Sequence, residues 1–433
     1  MPECRAEFTH EARLSKGGLV KHRIALLAFM ATGAFVVTAG ARQFDMTDRP
    51  DATAYRIDRL APLGGPNLRG NSINDTGLVA GFADREGGQS RRAVTWSHNQ
   101  PLDLGTLGGP NSSVAWPVKN NDGLIVGIAQ TSVPHPRAAQ WSCRAFFPGP
   151  DNATYQCLGF VWEPDGTMLP LPTLGGDNGF ATAANNHRQV VGWAETATID
   201  ESCVVAGGHE FHAVLWDLAA QETRELIPLG DDSSSAATAI NDRGQVVGIS
   251  GDCDQAVGRF SAKHAVLWEN GMPLELDNLG GDAWHTPMAI NQAGDMIVGF
   301  GTLPGDNPLA PRLRAFLWTI REGLCEPQPG TMICDLGTLD GHATAQAAAV
   351  NDRGQIVGTS CPASGASTLC SAFLWERGVM TDLNTRKGSG FSDHLEHGQD
   401  INESGQITGR AANLTTLIRS AFRATPRPGK PIR

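Results

Sequence analysis

The densest group of metal-ligand side chains in this sequence is His394-Leu395-Glu396-His397, two imidazoles and a carboxylate within four residues. Such a group could hold a metal ion as a ligand pair. The stretch is polar throughout, and the sequence favours a solvated polar patch on a loop over a metal pair. Asp231-Asp232, and Asp177 and Asp282 behind paired glycines, offer the hard oxygen that calcium prefers. Asp in a turn also bonds its own backbone, and that is the expected role here. His212 and His264 open equivalent His-Ala-Val segments, a repetition that points to structure rather than to a ligand.

Catalytic spacings are missing. The chain holds no Gly-x-Ser-x-Gly, no His-Glu-x-x-His, no phosphate-binding glycine loop and no dinucleotide fingerprint. No catalytic residue, metal or cofactor is therefore assigned, and the binding residues stay open.

The cysteines do carry a reading. Nine are present, and Cys4 lies ahead of an apolar run from Ile24 to Ala41. That run follows Lys16, Lys21 and Arg23 and ends in Thr38-Ala39-Gly40-Ala41, the layout of a cleaved secretory signal. An uncleaved anchor is the rival, since the run is just long enough to span a bilayer. Cleavage after Ala41 leaves eight cysteines: Cys143, Cys157, Cys203, Cys253, Cys325, Cys334, Cys361 and Cys370. No Cys-x-x-Cys occurs among them, so disulfides in an oxidising compartment are expected rather than zinc. Eight cysteines allow 105 pairings. Locality favours Cys143–Cys157, Cys325–Cys334 and Cys361–Cys370, which leaves Cys203 with Cys253.

The elements that must position these groups are repeats. Ala239-Ile240-Asn241-Asp242-Arg243-Gly244-Gln245-Val246-Val247-Gly248 returns as Ala349-Val350-Asn351-Asp352-Arg353-Gly354-Gln355-Ile356-Val357-Gly358, with looser copies at Asn74, Asn120, Asn185, Asn291 and Asn402. Each copy reads as two short apolar strands around a type I turn closed by a left-handed glycine. The copy at Asn185 has Arg188 in place of that glycine. Downstream comes a strand ending in Trp, such as Ala265-Val266-Leu267-Trp268, then a second turn and a Leu-rich strand such as Leu102-Asp103-Leu104. Four strands in roughly 46 to 65 residues match a propeller blade. The expected fold is all-β, a propeller of seven four-stranded blades over residues 54–425. Residues 1–41 are the signal, 42–53 a polar leader and 426–433 a tail.

Leu104-Gly105-Thr106-Leu107-Gly108-Gly109, the Ala-Ile-Asn-x-x-Gly-x-Val-Val-Gly element and the His-Ala-Val-Leu-Trp strands at His212 and His264 together resemble the HAF family of extracellular repeat proteins. The likeness runs from about Leu60 to Phe422. It implies a secreted bacterial repeat protein and supplies no activity to transfer.

Alternating strand direction sorts the turns onto two ends. The Asn-x-x-Gly and post-Trp turns share one end and are mostly short. The other end carries the long loops: Ala129 to Cys157, Ala194 to Glu210, Gly251 to Lys263 and Gly301 to Leu313. Function on a rigid scaffold gathers in such loops. The formal charge of −11, more negative still once the basic leader is removed, disfavours nucleic acid and anionic membrane as partners. The sequence thus points to a secreted, monomeric, non-catalytic module binding a protein or glycan through its long-loop end, extracellular or periplasmic. The alternative is an extracellular polysaccharide hydrolase or lyase. The N-terminal strand at Tyr55 is expected to complete the seventh blade.

Overall fold

The computed structural model describes residues 54–427, apart from 136–141, 153, 201–207, 253–261, 283, 307–311 and 364–369. The expected signal, the polar leader, and Cys203 and Cys253 lie outside the described residues.

Seven antiparallel four-stranded sheets form a ring of propeller blades. Blade 4 shows the plan: Ser234–Ile240, Val246–Gly251, His264–Glu269 and Met272–Glu275, hydrogen-bonded in chain order. From blade 3 round to blade 1 the first strands of successive blades contact one another. Blades 1, 2 and 3 begin at Gly64, Gly108 and Gly175, and blades 5, 6 and 7 at His285, Thr344 and His394. Helix is confined, among the described residues, to Ser142–Phe146 and a 3-10 turn at Leu383–Thr385.

The seventh sheet is closed by the opposite end of the chain. Tyr55–Arg59 pairs antiparallel with Arg419–Pro426, Tyr55 opposite Pro426 and Arg59 opposite Phe422. This clasp removes a free sheet edge and makes the ring continuous.

Two repeated residues explain why the blades stack. The indole of Trp96 donates to the Ala61 carbonyl at 2.8 Å, Trp216 to Pro172 at 2.9 Å and Trp268 to Ile227 at 2.8 Å. Each acceptor lies just beyond the outer strand of the preceding blade, so the strand-ending Trp latches one blade to the last. The glycine of Val-Val-Gly serves a different purpose. A Cβ on Gly248 would sit 2.0 Å from the Ala236 carbonyl oxygen, and one on Gly192 would sit 1.9 Å from that of Phe180. The first strand bulges beside this glycine, between Ala237 and Ala239 in blade 4 and between Ala181 and Ala183 in blade 3. A bulge presses the neighbouring backbone inward, and only a residue without a side chain fits.

The turn glycines adopt the expected left-handed conformation, with φ of 75° at both Gly244 and Gly354. Arg188 takes the same shape without being glycine, at φ 60°. Its guanidinium bonds Glu163 in the preceding blade at 2.5 Å, which offsets part of the backbone strain.

Candidate functional site

At the Asn-turn end the seven repeated asparagines do more than shape turns. The Asn241 side-chain oxygen accepts from the Arg243 and Gln245 amides, holding its own turn. Its amide then donates to the Asn291 carbonyl of the next blade at 3.2 Å. Asn74, Asn120, Asn185, Asn351 and Asn402 repeat the pattern at 2.8–3.1 Å, and Asn402 returns to Asn74. Asn291 is the exception. Its turn carries one more residue, with the Asn291 amide reaching the Met296 carbonyl, and its side chain bonds Asp352 at 2.8 Å instead. A second belt lies beside the first. Asp75, Asn121, Asn186, Asp242, Gln292, Asp352 and Glu403 each accept from a backbone amide of the preceding blade.

The carboxylates of this belt, Asp75, Asp242, Asp352 and Glu403, are thus engaged as structural acceptors. Asp400 is fully buried, accepts from the Ile73 and Ile401 amides and pairs with Lys119, a strut across blades 7, 1 and 2. Burial pushes its carboxyl above the usual range despite the Lys119 ammonium. A cavity of about 30 Å³, lined by Asn74, Lys119, Asn291 and Asn402, offers room for a water or so and not for a sugar.

The other end holds a different chemistry. Arg69, Arg91, Arg410 and Arg419 gather where blades 7 and 1 meet, with Asp84 and Glu396 as their carboxylates. Arg91 bonds Asp84 at 2.9 Å and Arg410 bonds Glu396 at 2.8 Å. Arg69 has no carboxylate. Its side chain donates no hydrogen bond among the described residues, its Nε is buried without a partner, and its guanidinium lies 5.3 Å from the Phe82 ring centroid. Burial, then the Arg410 and Arg91 charges, push the Arg69 guanidinium down to about 9. A guanidinium hardly ever gives up its proton; the shift measures how unfavourable a further cation is there.

Aromatic rings continue the surface. Arg91 lies 3.7 Å over Phe82 and donates to the Phe146 carbonyl at 2.8 Å. Phe146 packs edge-on to Trp116 at 5.7 Å, and Trp116 meets Phe180 at 5.5 Å. The Trp116 indole nitrogen is buried with no acceptor. Arg69, His397, Arg410 and Trp116 remain partly accessible.

His394 and His397 are corrected here. They lie on the first strand of blade 7, His394–Ile401, not on a solvated loop, and Glu396 between them is fully buried. His397 donates to Thr359 at 2.8 Å and accepts from Arg410 at 2.6 Å, while His394 bonds the Cys370 carbonyl at 2.9 Å. With both nitrogens of His397 engaged, the two imidazoles do not form a metal pair. Burial and the charges of Arg410, Arg69 and Arg419 hold the His397 pKa well below its ordinary value.

The remaining candidates scatter. His212 and His264 pair with outer-strand Glu225 and Glu275, at 2.5 and 2.8 Å, a shared structural role. Asp231 and Asp282 are exposed. Asp232 accepts from Ser250 at 2.7 Å and Asp177 meets His135 at 3.0 Å, so neither bonds its own turn as expected. Asp177 also converges with Glu195 and His209. Three disulfides stand as expected: Cys143–Cys157, Cys325–Cys334 and Cys361–Cys370. The first and last staple loops at the Arg-bearing end. Cys325–Cys334 staples the long third-to-fourth strand connection of blade 5 at the Asn end, where a short turn was expected.

Sequence reasoning missed the Arg cluster because its members come from distant repeats. One signal was present: Arg69 and His397 occupy the register position that Ala236 fills in blade 4, opposite the residue that follows the Val-Val-Gly glycine. A guanidinium and an imidazole there stand out from Ser113, Phe180, Ala236 and Thr286 in blades 2 to 5, and blade 6 has Gln346.

No family model and no curated protein matches the chain. Among solved structures it is similar to Pyrococcus horikoshii acylaminoacyl peptidase, with 11% identity over 82% of this chain and 50% of that one, TM-score 0.45. It is similar to puromycin hydrolase at 13% identity, over 83% and 50% of the two chains, TM-score 0.41. Trypanosoma rangeli sialidase follows at 10% identity, 85% and 58% coverage, and TM-score 0.37. The chain spans about half the length of the peptidase and hydrolase structures it matches. Identity this low says nothing of activity.

Proposed function

We propose that the protein is a secreted, non-catalytic binding module of the HAF-like kind that captures an acidic saccharide where blades 7 and 1 meet at the long-loop end. The observation that carries this reading is Arg69, a half-buried guanidinium whose Nε is enclosed and which has no carboxylate partner among the described residues. Four guanidiniums face two carboxylates in a protein whose overall charge is −11. An anionic ligand relieves that imbalance, because an uncompensated buried charge is costly. The neighbouring Phe146 and Trp116, both partly accessible, supply the apolar faces on which sugar rings rest, and the Trp116 indole has a donor to spare. The Cys143–Cys157 disulfide staples the loop that carries Phe146, which lowers the ordering cost of binding.

Ion pairing of both local carboxylates supports binding over catalysis. Asp84 is held by Arg91 and Asn67, and Glu396 by Arg410 through Oε2, its Oε1 being buried without a partner. General acid–base work needs a carboxyl group whose proton is free to move.

The test is calorimetric titration of the chain with oligogalacturonate and with a neutral oligosaccharide of equal length. Binding of the acidic ligand alone, weakened by salt and lost in Arg69→Met, supports the reading. Equal affinity for both ligands overturns the charge argument. Shortened oligosaccharides in the incubation mixture would instead establish the hydrolase or lyase alternative.

A further inference from the structure

Blade 3 carries a second constellation, away from the arginines. Asp177 lies on the first strand, Gly175–Ala184, Glu195 on the second, Gln189–Ile199, and His209 opens the third, His209–Asp217. A carboxylate oxygen from each acid and a ring nitrogen of the histidine all lie within 4.8 Å of one another. Irregularities in both strand pairings frame the group, between Gly175 and Gly179 and between Glu195 and Ile199. Such bulges re-aim side chains beside functional sites.

We infer that Asp177, Glu195 and His209 form a binding site for a divalent transition metal of the zinc class, with His135 as the fourth group. Three observations carry the assignment independently of the sugar reading. The first is charge. Glu195 is 1% exposed, and no Lys or Arg bonds it among the described residues. Its oxygens accept only from the Asp177 and Asn178 amides and the Asn178 side chain, at 2.9–3.1 Å. A buried carboxylate is ordinarily paired with a cation or bound to a metal.

The second is orientation from outside the cluster. The Thr196 carbonyl, which can only accept, lies 2.9 Å from His209 Nδ1. That bond places the proton on Nδ1 and the lone pair on Nε2, the tautomer a metal requires. Metal-binding histidines ordinarily donate their second nitrogen to a carbonyl or carboxylate, and metal-binding carboxylates are themselves hydrogen-bonded, as Glu195 is.

The third is His135, from the long loop of blade 2. Its Nε2 meets Asp177 at 3.0 Å, and its Nδ1 is buried with no partner. A metal here would fasten that loop to blade 3. Two imidazoles with two carboxylates suit zinc, while calcium takes oxygen alone. Ligands about 2.0–2.2 Å from zinc stand roughly 3.5 Å apart, so Asp177, Glu195 and His209 close by about an ångström when the ion binds, and His135, which lies outside that trio and touches Asp177 alone of the three, has further to come.

The test titrates EDTA-treated, dialysed full-length protein with Zn²⁺ and with Ca²⁺ by calorimetry, and with Co²⁺ by visible absorption. One equivalent of Zn²⁺ is expected, preferred over Ca²⁺, with a tetrahedral Co²⁺ spectrum. Affinity falls at least tenfold in His209→Ala and in Asp177→Asn, and is unchanged in His212→Ala. Asp177 is exposed, so its variant keeps the fold even where a change at buried Glu195 does not. Absence of zinc binding, or equal binding by all three variants, overturns the assignment and leaves a hydrogen-bonded carboxylate–imidazole cluster.

Discussion

The side-chain amide of Asn402 donates to the backbone carbonyl of Asn74 at 2.9 Å, across 328 residues of sequence. With it the asparagine belt closes on itself, on the same blade pair that the Tyr55–Arg59 strand clasps from the outside. Asn402→Ala removes an amide donor and a turn-capping acceptor at one buried position, and leaves the Asn74 carbonyl with the Gly77 amide alone. Lost buried hydrogen bonds of this kind cost about 1–3 kcal/mol. A destabilisation of about 2–3 kcal/mol in urea titration is expected. Asn291→Ala leaves the Asn351 carbonyl undisturbed, since the Asn291 amide bonds Asp352, and its cost is the smaller of the two. Equal costs would refute the belt as an energetic unit.

The two glycines of each repeat are predicted to fail differently. Gly244 has φ 75° and open space where a Cβ would stand, with Gln189 Oε1 the nearest atom at 3.8 Å. Gly244→Val therefore costs about 1–2 kcal/mol, the strain of a β-branched residue in left-handed backbone. Gly248→Ala drives its methyl against the Ala236 carbonyl, and a clash with backbone relaxes poorly. Its cost is about 3 kcal/mol or more. Paired denaturation midpoints check the order, and the reverse order would show that conformation rather than approach governs Gly248.

These contrasts mark how far the sequence could be read. Turn, strand and blade follow from neighbouring residues, and Asn241 with Gly244 and Gln245 announces its hairpin unaided. The clasp was legible too, because the chain starts with an outer-type strand and ends with a Trp-type one. The Asn241 amide was not, since its partner, Asn291, sits 50 residues on. The candidate sites were still less so. Glu195 and His209 look like ordinary strand residues until antiparallel pairing sets them beside Asp177. The arginines meet only because the ring brings blade 7 back to blade 1. His394 and His397 were misplaced for a related reason: polar residues in a strand read as loop unless their buried partners are known.

His397 makes stability depend on pH. In the folded chain burial and the guanidiniums of Arg410, Arg69 and Arg419 hold it neutral well below its ordinary 6.5. In the unfolded chain it protonates near 6.5. Below that value the unfolded state binds more protons, so stability falls as pH drops from 6.5 and is flat above it on this residue's account. Urea midpoints at about pH 5 and about pH 8 should differ, with the lower pH weaker. His397→Gln is expected to shrink the difference. A variant with the full wild-type difference would place the titrating group elsewhere.

Arg69 sets function against stability. A half-buried guanidinium beside Arg91 and Arg410 destabilises the free protein, and an apolar side chain of similar length removes that penalty while keeping the packing on Phe82. Replacing buried charge by a well-packed apolar group is often stabilising. Arg69→Met is therefore expected to stabilise the unliganded chain by about 1 kcal/mol, raising its melting temperature. The same substitution should abolish the protection that an acidic oligosaccharide gives the wild type, since only the native state with Arg69 present offers the anion a partner. Thermal melts of both proteins, with and without oligogalacturonate, separate the two effects. A variant that is less stable than the wild type would mean that Arg69 already has its counter-charge, and that the surface between blades 7 and 1 is not waiting for an anion.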